Sequence, residues 1–266
     1  LTVLGDGETT TTIQAPTSGR STLTQGVIPW DYVVAADGNG TPIDVKIQGF
    51  TIDANGQGGS SSLNFAGVFF RDVGDGTEDG LYSSTIMNFS SFGAEWSGTY
   101  DTWMGNYGVQ VYGDSDLSLF NNLIQDYTSS GINAVGSAIN LEVSSNELDG
   151  TDSDNFGVLL RDGVGTIDSN SIHDHNLTND SIGIYLFNAS DGVVVESNTL
   201  VDNYFGLFLA FTDSSTIENN TFTENSYRSI LVQHDSENNV IQGNTITMSD
   251  GAEQAAIVIG SSSGNT

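Results

Sequence analysis

Along this chain a glycine is repeatedly followed by apolar residues in alternation. The pattern reads Gly67-Val-Phe-Phe, Gly108-Val-Gln-Val, Gly131-Ile-Asn-Ala, Gly157-Val-Leu-Leu, Gly183-Ile-Tyr-Leu and Gly206-Leu-Phe-Leu, and it continues as Ser229-Ile-Leu-Val and Ala256-Ile-Val-Ile. Such alternation predicts short strands with one buried face. A second motif runs in phase with the first, an Asn two residues before an aliphatic or aromatic one: Asn122-Leu-Ile, Asn146-Glu-Leu, Asn170-Ser-Ile, Asn198-Thr-Leu, Asn220-Thr-Phe and Asn244-Thr-Ile. From Gly108 onward the first motif recurs at spacings of 23, 26, 26, 23, 23 and 27. Apolar residues nowhere recur at helical spacing over a long window.

A period near 24 has a physical meaning. A coil of that length holds three short strands and three turns, and equivalent strands of successive coils can pair at about 4.8 Å. One coil cannot bury its apolar face alone, so stability accumulates between neighbours. The recurrent Asn can stack at a turn, its amide bonding backbone and the Asn of the next coil. The expectation is an all-β fold, a right-handed single-stranded parallel β-helix, with residues 1–266 forming one domain. Residues 14–42 and 90–106 interrupt the pattern and are expected as surface insertions; all three Trp lie in them. The chain stops in mid-motif at Gly264-Asn265-Thr266. Both ends lack a cap, so the reading is of a fragment of a longer chain.

These repeats resemble a known group. "SNTLVDNYFGLFLAFTDSSTIENNTFTENS" is similar to the repeats of pectin-lyase-like proteins, in particular the carbohydrate-binding and sugar-hydrolysis repeats also found in NosD-like surface proteins. "LTVLGDGETTTTI" resembles an early coil of such proteins. The resemblance covers residues 43–266. It implies the fold, and it raises two alternatives to a structural role: a polysaccharide hydrolase, lyase or epimerase, or a sugar-binding module without turnover. The paired-Asp, Gly-His-Gly and Arg-x-Lys signatures of polygalacturonase-like members are missing, as is the Asp-Pro-His of epimerase-like ones.

Charge narrows the partners. The chain carries 34 acidic and 5 basic residues, a net charge of −29. It repels nucleic acid, anionic membranes and acidic polysaccharides at long range. A polysaccharide partner would be neutral, unless Ca²⁺ bridges the charges. There is no cysteine, hence no disulfide framework, and no apolar run of 18 residues that would span a membrane. An extracellular or cell-surface setting is expected.

Four features are candidates for chemistry. The insertion 90–106 places Glu95, Trp96, Tyr100, Asp101 and Trp103 together; rings stack on the apolar face of a sugar and polar groups bond its hydroxyls, so these are the carbohydrate-binding candidates. A miniature core pinning the loop is the simpler account. Asp149, Asp152 and Asp154 put three carboxylates on one turn, a candidate Ca²⁺ site; Asp75, Glu78 and Asp79 form a second cluster. His173-Asp174-His175 is read as an ordinary turn of the repeat rather than a metal or acid–base site. Arg71 and Arg161, each followed by Asp, stand three coils apart, too far for one reacting centre, and are read as local ion pairs.

One stripe points to partners. In each Gly-led strand the residue between the two inward positions faces outward. Over five coils that residue is Leu159, Tyr185, Phe208, Leu231 and Val258. An exposed stripe of roughly several hundred Å² would mark a contact with another chain or a neighbouring domain. The sequence therefore predicts a surface or filament-type structural module, with polysaccharide contact and enzymatic turnover as the alternatives.

Overall fold

The computed structural model describes residues 1–6, 11–15, 22–25, 28–56, 64–74, 78–89, 95–96, 103–104, 106–150, 156–176, 180–190, 192–248 and 255–266. Three sheets form the walls of a solenoid, with nine, nine and ten strands. The first wall runs from Thr2–Leu4 to Val240–Gln242, the second from Thr12–Gln14 to Thr245–Thr247, and the third from Thr22–Gln25 to Ala255–Ile259. Each strand pairs in parallel with its equivalent in the next coil, apart from an antiparallel pair, Thr22–Gln25 with Ile28–Asp37, at the start of the third wall. This is the β-helix that the spacing predicts. Segment 14–42, expected as an insertion, contributes Ile28–Asp37 to the third wall itself. No helix of the described residues is long and apolar enough to cross a membrane.

The interior is a set of aliphatic stacks. Ile52, Ile86, Ile124, Leu148, Ile172, Leu200 and Phe222 follow one another up the second wall, each fully buried. From the third wall come Val109 and Val111, Ile132 and Ala134, Val158 and Leu160, and so on upward, all in the same core. The glycine near the start of most third-wall strands has a steric reason. A Cβ on Gly108 would sit 2.3 Å from Ile124 Cγ2 and 2.6 Å from the Gly131 carbonyl oxygen, so the second wall's side chain and the next rung's backbone leave no room for one.

The corner between the first and second walls has two residues. Its first adopts a left-handed backbone, as at Asn121 (φ 54°), Ser145 (58°), Ser169 (56°) and Ser197 (57°). Its second is the recurrent Asn. Asn122, Asn146, Asn170, Asn198 and Asn220 each donate from Nδ2 to Oδ1 of the next, at 2.9–3.0 Å, ending on Asn244. The same oxygen also accepts the backbone N–H of the Asn below it, at 2.9 Å. The ladder thus satisfies buried donors that a bare corner would orphan.

Candidate functional site

Two of the five predicted sugar-site residues, Tyr100 and Asp101, lie outside the described residues, and so do Asp152 and Asp154 of the predicted Ca²⁺ loop. In the insertion, Glu95–Trp96 and Trp103–Met104 form an antiparallel ribbon in which Trp96 is opposite Trp103. The strand just after it buries Asn106 and Tyr107, and burial pushes the Tyr107 phenol above its ordinary value.

Asp149 is placed against residues that the sequence reading kept apart from it. Glu147–Asp149 lies directly beside Ser171–His173 on the second wall, with Asp149 in register with His173. Leu148 and Ile172 point inward and are buried, so their neighbours project from the wall. Donor atoms of Asp149, His173 and Asp174 all lie within 4.8 Å of one another. His173 Nδ1 is 2.8 Å from an Asp174 oxygen, and Nε2 is 3.5 Å from Glu147 Oε1. Partial burial alone would lower the His173 pKa; the Asp174 bond and the charges of Asp149, Asp174 and Glu147 outweigh it and hold the imidazole above its ordinary value.

His175 behaves in the opposite way. It is fully buried, with Nδ1 2.9 Å from Asn203 Oδ1 and Nε2 2.6 Å from the Tyr127 hydroxyl. Asn203 donates from Nδ2 to the Ile172 carbonyl and to Asn225, so its oxygen is the atom turned to the imidazole. Nδ1 must therefore donate, and Nε2 accepts the Tyr127 proton. Burial drives its pKa down to about 4, against the pull of Asn203. The His173-Asp174-His175 triplet is thus a structural turn at its third residue and a titratable surface group at its first.

The other charged candidates are absorbed by the scaffold. Arg71 forms a two-pronged pair with Asp37 of the preceding rung, at 2.7 and 2.5 Å. Arg161 is 3.4 Å from Asp162 and lies over the Phe187 ring. Of the second acidic cluster, Asp75 is outside the described residues, Asp79 is buried and accepts the Val45 N–H at 2.6 Å, and the exposed Glu78 is 3.7 Å from Lys46. A groove of roughly 500 Å³ opens on the second wall, lined by Thr51, Thr85, Leu123 and Asn121 and carrying one carboxylate, that of Glu147.

The outward stripe is in register, but it is not the open patch expected. Leu159, Tyr185, Phe208, Leu231 and Val258 align rung upon rung on the outer face of the third wall. Leu159 and Leu231 are only 5% and 6% exposed, and Tyr185, Phe208 and Val258 are half-buried. Sequence alternation could not show that neighbours at the strand ends fold over them. Phe156 packs on Tyr185 at 5.3 Å, Tyr185 stacks on Phe208 at 5.1 Å, and Phe205 leans on Phe208. They form a cluster separate from the interior core. What stays exposed is its margin, Phe211 on one side and Tyr227, stacked on Tyr204 and covered by Arg228, on the other.

A family model described as right handed beta helix region matches residues 107–266. Among solved structures, the A-module of mannuronan C-5 epimerase AlgE4 of Azotobacter vinelandii is similar over 97% of this chain and 83% of its own, at 15% identity and a TM-score of 0.47. Tailspike protein 2 of an Escherichia coli bacteriophage is similar over 86% of this chain and 37% of its own, at 13% identity and a TM-score of 0.46. A periplasmic alginate epimerase, AlgG, is similar over 84% of this chain and 71% of its own, at 13% identity and a TM-score of 0.39. At these identities the likeness is one of fold alone. No curated protein sequence matches the chain.

Proposed function

The chain belongs to the right-handed β-helix family, and from that premise we propose that it is a non-catalytic structural module of an extracellular or cell-surface assembly. The observation that carries this reading is the fate of its reactive side chains. His175 is neutral, buried and bonded on both nitrogens. Arg71 is locked to Asp37. Among the residues lining the second-wall groove, Glu147 is the one carboxylate, so the groove itself offers no facing pair of the kind glycoside hydrolysis uses. The acidic surface supports solubility in a saline exterior and disfavours anionic partners. The aromatic margin at Phe211 and Tyr227 supports contact with a neighbouring chain or domain on the third wall.

Incubation with a panel of neutral and acidic polysaccharides, with and without Ca²⁺, tests it. New reducing ends, unsaturated products or epimerised residues are expected to be absent, and turnover of any polymer overturns the reading. A second reading, sugar binding without turnover, is favoured by the pairing of Trp96 with Trp103 in the ribbon of the insertion. A glycan array comparing wild type with Trp103→Ala distinguishes it: a signal lost in the variant supports sugar binding, and equal signals reject it.

A further inference from the structure

We propose that Asp149, His173 and Asp174 form a binding site for a divalent transition-metal ion of the zinc type, one that ties together two successive rungs of the second wall. The donor set decides the class of ion. An imidazole nitrogen with two carboxylates suits borderline cations such as Zn²⁺, whereas Ca²⁺ takes oxygen ligands alone. This differs in kind from an all-carboxylate loop, because the nitrogen comes from the next rung and is brought in by strand register: Asp149 is paired with His173 across the wall. The three donors already lie within 4.8 Å of one another, so a single ion can reach all three by side-chain rotation.

The backbone on both rungs is fixed on the interior side. Leu148 and Ile172, next to Asp149 and His173, are fully buried. Asp174 is followed by the buried His175, which is bonded to Tyr127 and Asn203. Gly150, following Asp149, packs against the His175 ring. Ligands held from behind lose little freedom on binding an ion. Glu147 completes the arrangement. Its Oε1 is 3.5 Å from His173 Nε2, where it can accept the Nε2 proton and orient the ring with Nδ1 toward the ion, an outer carboxylate of the sort that commonly steadies a metal-bound imidazole. A net charge of −29 raises the local concentration of any cation.

The test is isothermal titration of untagged, chelator-treated protein with Zn²⁺, Mn²⁺ and Ca²⁺ separately, in a non-chelating buffer. One Zn²⁺ per chain is expected, with affinity at least tenfold above that for Ca²⁺. His173→Ala and Asp149→Asn should each weaken Zn²⁺ binding at least tenfold, while Glu78→Gln, at the remote acidic turn, leaves it unchanged. Zn²⁺ should shift the ring resonances of His173 in wild type and not those of His234, a readout that needs no variant to fold. Zn²⁺ binding that survives His173→Ala, equal affinity for Ca²⁺ and Zn²⁺, or no His173 shift at millimolar Zn²⁺ each overturns the proposal.

Discussion

Tyr127 and His175 belong to rungs two apart, yet the Tyr127 hydroxyl reaches His175 Nε2 at 2.6 Å across the intervening rung. Both side chains are fully buried. The contact exists because the rung between them passes through Gly150, which carries no side chain there. A Cβ on Gly150 would fall 2.6 Å from the His175 ring carbons. A glycine on one coil thus makes room for a hydrogen bond between its two neighbours.

Gly150→Ala should therefore force the ring aside. Overpacking in a tight interior costs about 1–3 kcal/mol. The Tyr127 hydroxyl and the imidazole, once separated, would add a further penalty as unpaired buried groups. Urea unfolding followed by circular dichroism should show a lower midpoint, whereas Gly192→Ala, whose Cβ meets nothing within 4 Å, should lose only what its left-handed backbone demands.

Acid should undo the same contact. His175 titrates near 6.5 when unfolded and near 4 when folded, so between those values the unfolded chain binds more protons. Stability then rises with pH from about 4 to 6.5 and is flat above. The stabilisation is lost as pH falls through this window, by about 3 kcal/mol in all. The charged neighbours are His173, Asp149 and Asp174. Many carboxylates titrate in the lower part of the same range, so the quantity to measure is the difference in stability between wild type and His175→Asn, in EDTA, from pH 4 to 8. A pH-independent difference would refute the assignment.

Such contacts mark where the sequence stops being legible. The Asn ladder and the aliphatic stacks can be read from residue spacing, because each repeats at every coil and its bonding partner is its own equivalent one period away. Asn170 and Asn198 announce each other. Tyr127 and His175 do not, since they differ in type and skip a coil. The pairing of Asp149 with His173 depends on register, which a spacing of 24 residues, between coils of 23 to 27, determines only once the turns are placed. The cover over Leu159 was hidden for another reason. It comes from Phe156, at the start of its strand, which packs on Tyr185 of the next rung and which the Gly-led alternation, beginning only at Gly157, does not orient.

The Arg71–Asp37 pair gives a second pH signature of the same sign, in a more acidic window. The Arg71 guanidinium beside Asp37 holds its carboxyl below the usual range, with help from the Asn39 N–H and against partial burial. The pair stabilises the fold fully above the ordinary carboxylate pKa, and that contribution is lost as pH falls through the depressed folded value. Arg71→Met should raise the Asp37 pKa, observed by NMR titration of its side-chain carbon. The stability gap to wild type should close in strong acid.

Position in the Asn ladder should determine how much a rung matters. Asn170 Oδ1 accepts both the backbone N–H and the Nδ2 of Asn146, and its own Nδ2 donates to the Val143 carbonyl and to Asn198. In a corner that is 2% exposed, Asn170→Ala would take from the Asn146 N–H its Oδ1 acceptor and from the Val143 carbonyl its Nδ2 donor, while Asn146 Nδ2 keeps the Leu119 and Ser144 carbonyls. The Asn198 oxygen also loses the Asn170 Nδ2, though it keeps the Asn170 backbone N–H. With each orphaned buried group costing about 1–3 kcal/mol, a total of about 3–5 kcal/mol is expected after partial relaxation. Asn244 also accepts two bonds, from the Asn220 N–H and Nδ2, and donates one, to the Ile217 carbonyl, but its surroundings are only half-buried. Water can replace those partners, so Asn244→Ala should cost less than half as much. Hydrogen exchange would localise the effect: Asn170→Ala should speed exchange of the amides of Asn146 and its neighbours, while Asn244→Ala leaves them protected. Equal losses of stability in the two variants would mean that the ladder contributes through packing rather than through its hydrogen bonds.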